Sequence, residues 1–290
     1  KFCTHQPYPG HLPLGSKRAD YIAALEDSLK RMKTDYVDFV FVHAIGEMSR
    51  DYEKEKKRLF DPEMLSAFEK LKSDGKVRFL AVSSHGPHNM ERLLMDAVKS
   101  GKYDMIMPSF NFMQFPKLMD VIKEAHKNKV GLIAMKTLAG AKDAGINDYP
   151  QSAFRWVLKH QEVSGLVITI RNTRDIENYL PASGTKFTQR DQKILNAYSL
   201  MFSRQYCRTG CNDCVKTCPN GVDIATIFRY WMYFIDYAVE KDAMQSYAML
   251  EQNASVCETC TNPLCNKACP YGLSVKEMLV TAHRALTFVV

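Results

Sequence analysis

The sequence lacks any apolar stretch as long as the roughly 20 residues that a membrane-spanning helix requires. It also lacks a long basic run: the net charge is +7, but the short cluster from Lys54 to Arg58 is interrupted by Glu55. A solvated loop explains this cluster better than nucleic-acid binding does. No secretory signal is visible. The remaining composition, 46% hydrophobic and 24% charged over 290 residues, is that of a globular protein with one large and one small domain.

Cysteine is nearly absent before residue 207, where Cys3 stands alone as an expected bystander. The other eight of the nine cysteines form two quartets, each followed directly by proline. Their spacings are C-x3-C-x2-C-x3-C-P and C-x2-C-x4-C-x3-C-P. The first quartet is Cys207, Cys211, Cys214 and Cys218, and the second is Cys257, Cys260, Cys265 and Cys269.

Two such runs are typical of a protein that carries two [4Fe–4S] clusters. A cubane needs four thiolates at the corners of a small tetrahedron, and a tight loop supplies three of them. In two-cluster ferredoxins the last cysteine of each run ligates the other cluster. We therefore expect one cluster on Cys207, Cys211, Cys214 and Cys269, and the other on Cys257, Cys260, Cys265 and Cys218.

Zinc and disulfide bonds are the alternatives for these cysteines. Two four-cysteine zinc sites would also use paired C-x2-C units, but zinc requires neither the triplet nor the terminal Cys-Pro. Disulfides belong mainly to small secreted domains that lack a core. Iron–sulfur clusters remain the favoured interpretation.

Helices and strands alternate between residues 17 and 185. Short apolar runs predict five strands, near residues 36–42, 77–82, 105–107, 130–135 and 166–170. The segment from His43 to Leu59 is predicted to be a charged loop, and Asp61-Pro62 to begin a helix. Helices between strands require parallel crossovers, so the fold class is α/β, either a doubly wound sheet or part of a (β/α)8 barrel. No G-x-G-x-x-G follows a strand, which argues against a Rossmann site.

The pattern changes after residue 185 and becomes wholly helical. Thr188 is predicted to cap one helix, and Ser274 with Glu277 to form a capping box at another. The expected domains are therefore residues 1–185, an α/β domain, and residues 186–290, a small helical domain that binds two clusters.

Several motifs resemble the aldo/keto reductase family. The segment from Ala24 to Met32, the segment Asp35 to Phe39, and His43 are similar to the family's serine-leucine-lysine-arginine helix and the strand that ends in its catalytic histidine. Further similar segments are Ala81 to Ser84, Asp104 to Asn111, Ile133 to Gly140 and Arg171 to Glu177. With the cysteine quartets, the chain resembles the branch of this family that carries a C-terminal, two-cluster, ferredoxin-like helical domain.

This resemblance implies a (β/α)8 TIM barrel, of which five strands can form only a part. In the family three strands precede the first helix seen here, and Lys1 aligns with the end of the third. The chain also begins without methionine. We therefore expect that the intact protein has residues upstream of Lys1, and that these include the first strands of the barrel.

The resemblance also implies the site residues. His43 would orient and polarise a substrate carbonyl, and Lys1 would assist an upstream tyrosine acid; without the resemblance, His43 would be taken as a core histidine. NADP(H), or a flavin, would be held by seven residues: Ser83, Ser84, Asn111, Lys136, Arg171, Asn172 and Arg174. The two arginines could instead be exposed side chains on a surface helix. Met107 and Met135 stand where the family often has the glutamine and tyrosine that contact nicotinamide, so that site departs from the family.

The expected function is an iron–sulfur oxidoreductase that couples a small carbonyl or alcohol substrate to one-electron transfer through two clusters. The alternative is a non-catalytic electron-transfer subunit of a larger redox complex, and a third reading makes the clusters structural staples. A redox protein partner is expected, and nucleic acid is not. Free thiols and reduced clusters favour a cytoplasmic, low-oxygen setting, and an export signal upstream of Lys1 stays open. No motif identifies the substrate.

Overall fold

A computed structural model describes residues 2–4, 11–47, 49–113, 117–140, 142 and 144–287. The chain divides into two compact units that are not continuous in sequence. The α/β unit comprises residues 1–110, 116–135 and 160–167, and the helical unit comprises residues 111–115, 136–159 and 168–290. Within the described residues, no helix is both long enough and apolar enough to cross a membrane.

The described part of the α/β unit contains a five-stranded parallel sheet. Its strands are β1 Val37–Val42, β2 Val77–Ser84, β3 Met105–Pro108, β4 Gly131–Ala134 and β5 Gly165–Leu166. Their order in the sheet follows their order in the chain, β1-β2-β3-β4-β5. A doubly wound sheet reverses its strand order at a switch point, whereas a barrel adds each strand beside the last. The sheet therefore has the arrangement of a barrel segment.

One helix of the α/β unit precedes β1, and the other four lie between consecutive strands from β1 to β4. They are α1 Arg18–Met32, α2 Tyr52–Leu59, α3 Pro62–Ser73, α4 Met90–Lys99 and α5 Leu118–Lys127. The Asp61 carboxylate accepts a hydrogen bond from the Glu63 N–H at 2.9 Å, and Pro62 opens the helix. This confirms the predicted start of α3. The core between sheet and helices is formed by buried side chains such as Leu80, Phe68 and Leu94.

The predicted loop between His43 and Leu59 is wrong, because α2 lies in it. Asp51 caps this helix, and its carboxylate accepts hydrogen bonds from the N–H groups of Glu53 and Lys54. Glu55 and Arg58 are buried, with 1% and 8% exposure. The interpretation of this basic cluster as solvated therefore fails for these two residues, which lie one turn apart on the inward face of the helix.

The helical unit contains no strand among its described residues. Its helices are α6 Tyr149–Leu158, α7 Thr173–Tyr179, α8 Gln189–Phe202, α9 Asp213–Lys216, α10 Ile224–Ile235, α11 Glu240–Ala248, α12 Leu264–Ala268 and α13 Val275–Leu286. Thr188 caps α8 as predicted, in a capping box with Asp191. The capping box predicted at Ser274 is wrong, because its side chain makes no cap hydrogen bond although α13 begins at the next residue.

The core of the helical unit surrounds the cysteines. Val222, Ile224, Val275 and Leu279 from α10, α13 and the loop before α10 are almost completely buried, together with three of the cysteines, Cys214, Cys257 and Cys265. The cysteine loops are thus held against a packed apolar core, which fixes the positions of their sulfur atoms.

Candidate functional site

His43 lies directly after β1, at the carboxyl end of the strand, where barrel active sites are built. Its side chain is half-buried, and its Nδ1 shares a hydrogen bond of 3.0 Å with Nε2 of His11. His11 is itself buried, with 8% exposure. Sequence reasoning did not identify His11, because a lone histidine in a loop carries no pattern. Lys1, the other predicted catalytic residue, lies outside the described residues.

A buried ion pair supports the backbone of His43. The Arg58 guanidinium donates to the His43 carbonyl oxygen at 2.6 Å and to the Glu55 carboxylate at 2.8 Å. That carboxylate also accepts a hydrogen bond from the Gly46 N–H at 2.7 Å. Burial acts to lower the pKa of Arg58, but the Glu55 carboxylate raises it above its usual value, so the guanidinium stays charged. The segment from His43 to Gly46 is therefore fixed by α2.

Cys3 also contacts this backbone. Its sulfur accepts a hydrogen bond from the His43 N–H at 3.3 Å, and its side chain is only 1% exposed. Cys3 is therefore not a bystander in the fold, although it has no place in the two quartets.

Ser83 and Ser84 lie at the end of β2, beside the segment that follows β1. The Ser83 hydroxyl accepts a hydrogen bond from the Ala44 N–H at 3.2 Å, and the Ser84 hydroxyl donates to the Ile45 carbonyl at 2.6 Å. Both residues are buried. The structure thus brings His43, Ser83 and Ser84 together, and both hydroxyls help to hold the backbone beside His43.

Asn111 and Lys136 lie next to each other in the helical unit. The Asn111 amide donates to the Lys136 carbonyl at 3.0 Å and to the Tyr206 hydroxyl at 3.1 Å. The Lys136 ammonium lies over the rings of Tyr233 and Tyr237, with distances of 4.7 Å and 4.5 Å to the centroids. Two aromatic faces therefore stabilise this cation. Sequence reasoning could not foresee these rings, which lie about 100 residues away in the chain.

Arg171, Asn172 and Arg174 lie at the start of α7 and are exposed. The Asn172 side chain caps the helix by accepting a hydrogen bond from the Asp175 N–H at 3.2 Å. The Arg171 guanidinium donates to the Tyr237 carbonyl at 3.0 Å. This loop belongs to the helical unit, whereas His43 and the two serines belong to the α/β unit.

The two cysteine quartets exchange one member in the structure. Cys218 lines the same pocket as Cys257, Cys260 and Cys265, although it belongs to the first run in sequence. Burial raises the pKa of Cys257 to about 11, and the nearby thiols of Cys218, Cys265 and Cys260 add to the effect. These four cysteines therefore line a single pocket.

The other four cysteines show the complementary grouping. Burial raises the pKa of the Cys207 thiol well above its usual range, and Cys214, Cys211 and Cys269 raise it further. Burial likewise raises the pKa of Cys214 to about 12, and Cys269, Cys211 and, to a smaller extent, Cys265 of the other set add to the effect. Cys269 thus lies with the first run.

The donor set is that of a metal centre, since thiolates are its ligands and buried thiols give up their protons when a bound cation compensates the charge. Within the described residues, no three histidine, cysteine or acidic side chains are close enough together to hold a single metal ion.

Comparison with known proteins bears on the first half of the chain. The model of the "Aldo/keto reductase family" matches residues 3–142, a range that contains His43, Ser83, Ser84, Asn111 and Lys136. Among curated proteins, the L-glyceraldehyde 3-phosphate reductase of Escherichia coli K12 is 26% identical over 151 residues, which are 50% of this chain and 40% of that protein.

Two further relatives match shorter parts of the chain. The glyoxal reductase of Bacillus subtilis is 40% identical over 76 residues, or 26% of this chain and 24% of that protein. The L-galactose dehydrogenase of Arabidopsis thaliana is 28% identical over 117 residues, or 40% of this chain and 34% of that protein. The chain therefore spans less than half the length of each curated relative named here.

Solved structures of aldo-keto reductases are also similar. The holo form of an enzyme from Bacillus halodurans has a TM-score of 0.48 at 18% identity, covering 62% of this chain and 65% of that one. A thermostable aldo-keto reductase in complex with the inhibitor epalrestat has a TM-score of 0.47 at 21% identity, covering 62% and 66%. The family match and the curated relatives therefore show that residues 3–142 of this chain are similar to the aldo/keto reductase family.

Proposed function

We propose that this chain is an iron–sulfur oxidoreductase of the aldo/keto reductase type, which couples a small carbonyl or alcohol substrate to one-electron transfer through two [4Fe–4S] clusters. The observation that carries the proposal is the exchange of Cys218 between the two quartets, which places it in one pocket with Cys257, Cys260 and Cys265. Four-cysteine sets that share ligands across two runs are typical of two-cluster ferredoxins. A mononuclear zinc site gives no reason for this exchange.

The eight cysteines are suited to such clusters. Five of them have a raised pKa, for which burial is the main cause: Cys207, Cys211, Cys214, Cys257 and Cys265. Buried thiols of this kind become thiolates when iron supplies the compensating charge. The proposed ligands are Cys207, Cys211, Cys214 and Cys269 for one cluster, and Cys257, Cys260, Cys265 and Cys218 for the other. When bound, such clusters accept and release one electron each.

The substrate is assigned to the site at His43. We assign the His43 imidazole, whose Nδ1 shares a hydrogen bond of 3.0 Å with His11, to the substrate carbonyl oxygen. A donor at this position stabilises the negative charge that develops on that oxygen during reduction. Arg58 and Ser83 hold the backbone on either side of the ring. Small carbonyl compounds appear in the names of two relatives, the glyoxal and the L-glyceraldehyde 3-phosphate reductases, and we propose this substrate class here.

NADP(H) or a flavin is the proposed two-electron carrier. The proposed contacts in the α/β unit are Ser83 and Ser84. Those proposed in the helical unit are Asn111, Lys136, Arg171, Asn172 and Arg174, of which the two arginines beside a helix start suit a phosphate. Both N–H donors of the Asn111 amide bond within the chain, and its oxygen accepts a hydrogen bond from the Met113 N–H at 2.9 Å.

A short covalent and hydrogen-bonded route leads from this region to the cysteines. The Asn111 amide donates to the Tyr206 hydroxyl at 3.1 Å, and Tyr206 directly precedes Cys207. Tyr206 is buried, with 7% exposure. A cofactor bound at Asn111 would therefore lie close in structure to the first cysteine of one set.

Iron and acid-labile sulfide analysis of anaerobically purified protein tests the clusters. We expect about eight iron atoms per chain, and two interacting cubane signals in the EPR spectrum of the dithionite-reduced protein. The Cys3→Ala variant is the matched control, because it removes the one cysteine outside the quartets and should retain all the iron. An EPR-silent protein with stoichiometric zinc would falsify this part of the proposal.

Turnover measurements test the barrel site. NADPH, or reduced methyl viologen as an artificial donor, is supplied with a panel of small aldehydes and dicarbonyls. We expect the His43→Ala variant to lose about 10²- to 10³-fold in kcat, the usual effect of removing one such donor. His126→Ala, which changes an exposed histidine on α5, should turn over like the original protein. Equal activity of the His43 variant would contradict the assignment.

A non-catalytic electron-transfer subunit is the second candidate. Met107 and Met135, which replace the family's nicotinamide contacts, favour it, and so does the engagement of Lys136 by two tyrosine rings. This candidate predicts two intact clusters, no quenching of NADPH fluorescence on titration, and no carbonyl turnover with either donor.

A further inference from the structure

Arg208 is a buried cation in the first cysteine loop, directly after Cys207. Its side chain is only 8% exposed, although arginine is rarely buried without a partner. The guanidinium donates hydrogen bonds to the carbonyl oxygens of Ser203 and Tyr206. Both acceptors are neutral, and among the described residues no carboxylate forms an ion pair with this guanidinium.

The same guanidinium reaches the loop of the second quartet. It lies over the ring of Tyr271, 4.4 Å from the centroid, and Tyr271 follows Cys269 by two residues. Arg208 therefore joins the segments that carry Cys207 and Cys269, which come from different runs but belong to one set.

We propose that Arg208 is a redox-tuning residue, which selectively raises the reduction potential of the cluster on Cys207, Cys211, Cys214 and Cys269. The inference rests on the proposed function, since it requires that cluster. A cluster that accepts an electron becomes more negative by one charge. A buried cation stabilises the reduced form more than the oxidised form, and protein net charge is one of the factors that set these potentials.

Two other charged residues serve as controls, one with a negative charge beside the same cysteine set and one with a positive charge at the other set. Asp213 lies beside Cys211, whose sulfur is 3.7 Å from the carboxylate, so its negative charge should lower the potential of the same cluster. Lys276 lines the pocket of the other set. Arg204, in the same chain segment as Arg208, is exposed and provides the matched control for loss of an arginine.

The test is an EPR-monitored redox titration of the full chain, with the two signals assigned by means of Cys218→Ala, which should remove the second cluster. For Arg208→Gln we expect a fall of about tenfold in the equilibrium constant for reducing the first cluster, which corresponds to about 59 mV for one electron. Arg208→Lys should keep most of the original potential, and Arg204→Gln should keep all of it. Asp213→Asn should raise the first potential, and Lys276→Gln should move only the second.

Equal shifts of both clusters in Arg208→Gln, or no shift, would overturn the proposal while leaving the proposed function intact. Arg208→Met guards against a variant that fails to assemble, because it keeps the apolar stem and removes the charge. Loss of the first cluster from both neutral variants would assign Arg208 a purely structural role and would also overturn the proposal. An original protein without iron would instead refute the proposed function itself.

Discussion

Replacement of Asp191 has a well-defined expected effect on the free energy of unfolding. Its buried carboxylate accepts hydrogen bonds from the Ser152 hydroxyl at 2.8 Å and the Arg155 guanidinium at 2.7 Å, and from the Thr188 hydroxyl at 2.6 Å and N–H at 2.8 Å. Burial acts to raise the pKa of Asp191, but these hydrogen bonds outweigh it and lower the pKa from 3.8 to about 2. The charged form is therefore strongly favoured in the folded helical unit.

The Asp191→Asn substitution keeps the shape of the side chain and removes its charge. A change of one pKa unit corresponds to about 1.4 kcal/mol, so the shift to about 2 predicts a loss of at least about 2 kcal/mol in the free energy of unfolding at neutral pH. Since the folded pKa is lowered, this contribution is complete above the unfolded pKa of about 4. It is lost as the pH falls toward 2, so the difference should be the same at pH 6 and pH 8.

Urea denaturation followed by tryptophan emission measures the free energy of unfolding of the helical unit. Both tryptophans of the sequence, Trp156 and Trp231, lie in the helical unit. The matched control is Asp148→Asn, because the Asp148–Arg190 pair is exposed and should contribute less than about 1 kcal/mol. A loss in Asp191→Asn no larger than in the control, or a loss that changes between pH 6 and pH 8, would refute the reasoning.

Three further substitutions give defined outcomes. Arg58→Met leaves the Glu55 carboxylate buried without its partner and should destabilise the α/β unit by about 3–5 kcal/mol, measured by a far-UV circular dichroism melt. Arg31→Met, at the exposed pair with Asp27, is the control and should cost less than about 1 kcal/mol. Equal losses in the two variants would contradict the role of the buried pair. Tyr198→Phe removes the hydroxyl that accepts a hydrogen bond from the Lys142 N–H at 3.1 Å but keeps the stacking on Tyr149. The free energy of unfolding, measured by tryptophan emission, should fall by about 1 kcal/mol. An unchanged denaturation midpoint would argue against this hydrogen bond. Asn172→Ala removes the cap of α7 and should lower the free energy of unfolding by about 1 kcal/mol in the same assay. Asn172→Asp keeps a capping oxygen and should cost little. A similar loss in both variants would mean that capping is not the role of Asn172.

The regular elements were predictable because their signals are local. The apolar run at Val37–Val42 indicated a buried parallel strand, and the pair Asp61-Pro62 indicated a helix start. The capping residue Thr188 was likewise visible in the sequence. Each of these signals lies within a few residues of the element that it specifies, so no distant partner was needed to interpret it.

The helix α2 was missed because its charged composition indicated solvent exposure. Its burial depends on two backbone groups outside the helix: the His43 carbonyl, which accepts a hydrogen bond from Arg58, and the Gly46 N–H, which donates to the Glu55 carboxylate. A one-turn spacing of acid and base inside a charged segment was the available signal. It identifies a pair but does not show that the pair faces inward.

The candidate site was predictable only in part for the same reason. His43 follows a recognisable strand, whereas His11 comes from a loop without a pattern, and the tyrosine rings around Lys136 lie about 100 residues further on. The cysteine spacing indicated which residues form each set, and the structure brings Cys218 to the pocket of the second run. The clusters themselves, and the seven cofactor contacts, stay predictions.

The iron content of paired cysteine variants tests the central claim most directly, because it asks whether each cluster draws a ligand from both runs. If Cys218 belongs with Cys257, the double variant Cys218→Ala/Cys257→Ala should disrupt one cluster and retain about half of the iron of the original protein. The double variant Cys218→Ala/Cys211→Ala should disrupt both clusters and lose nearly all of it. The reverse pattern would contradict the exchange of Cys218, and an original protein without iron would contradict the clusters altogether.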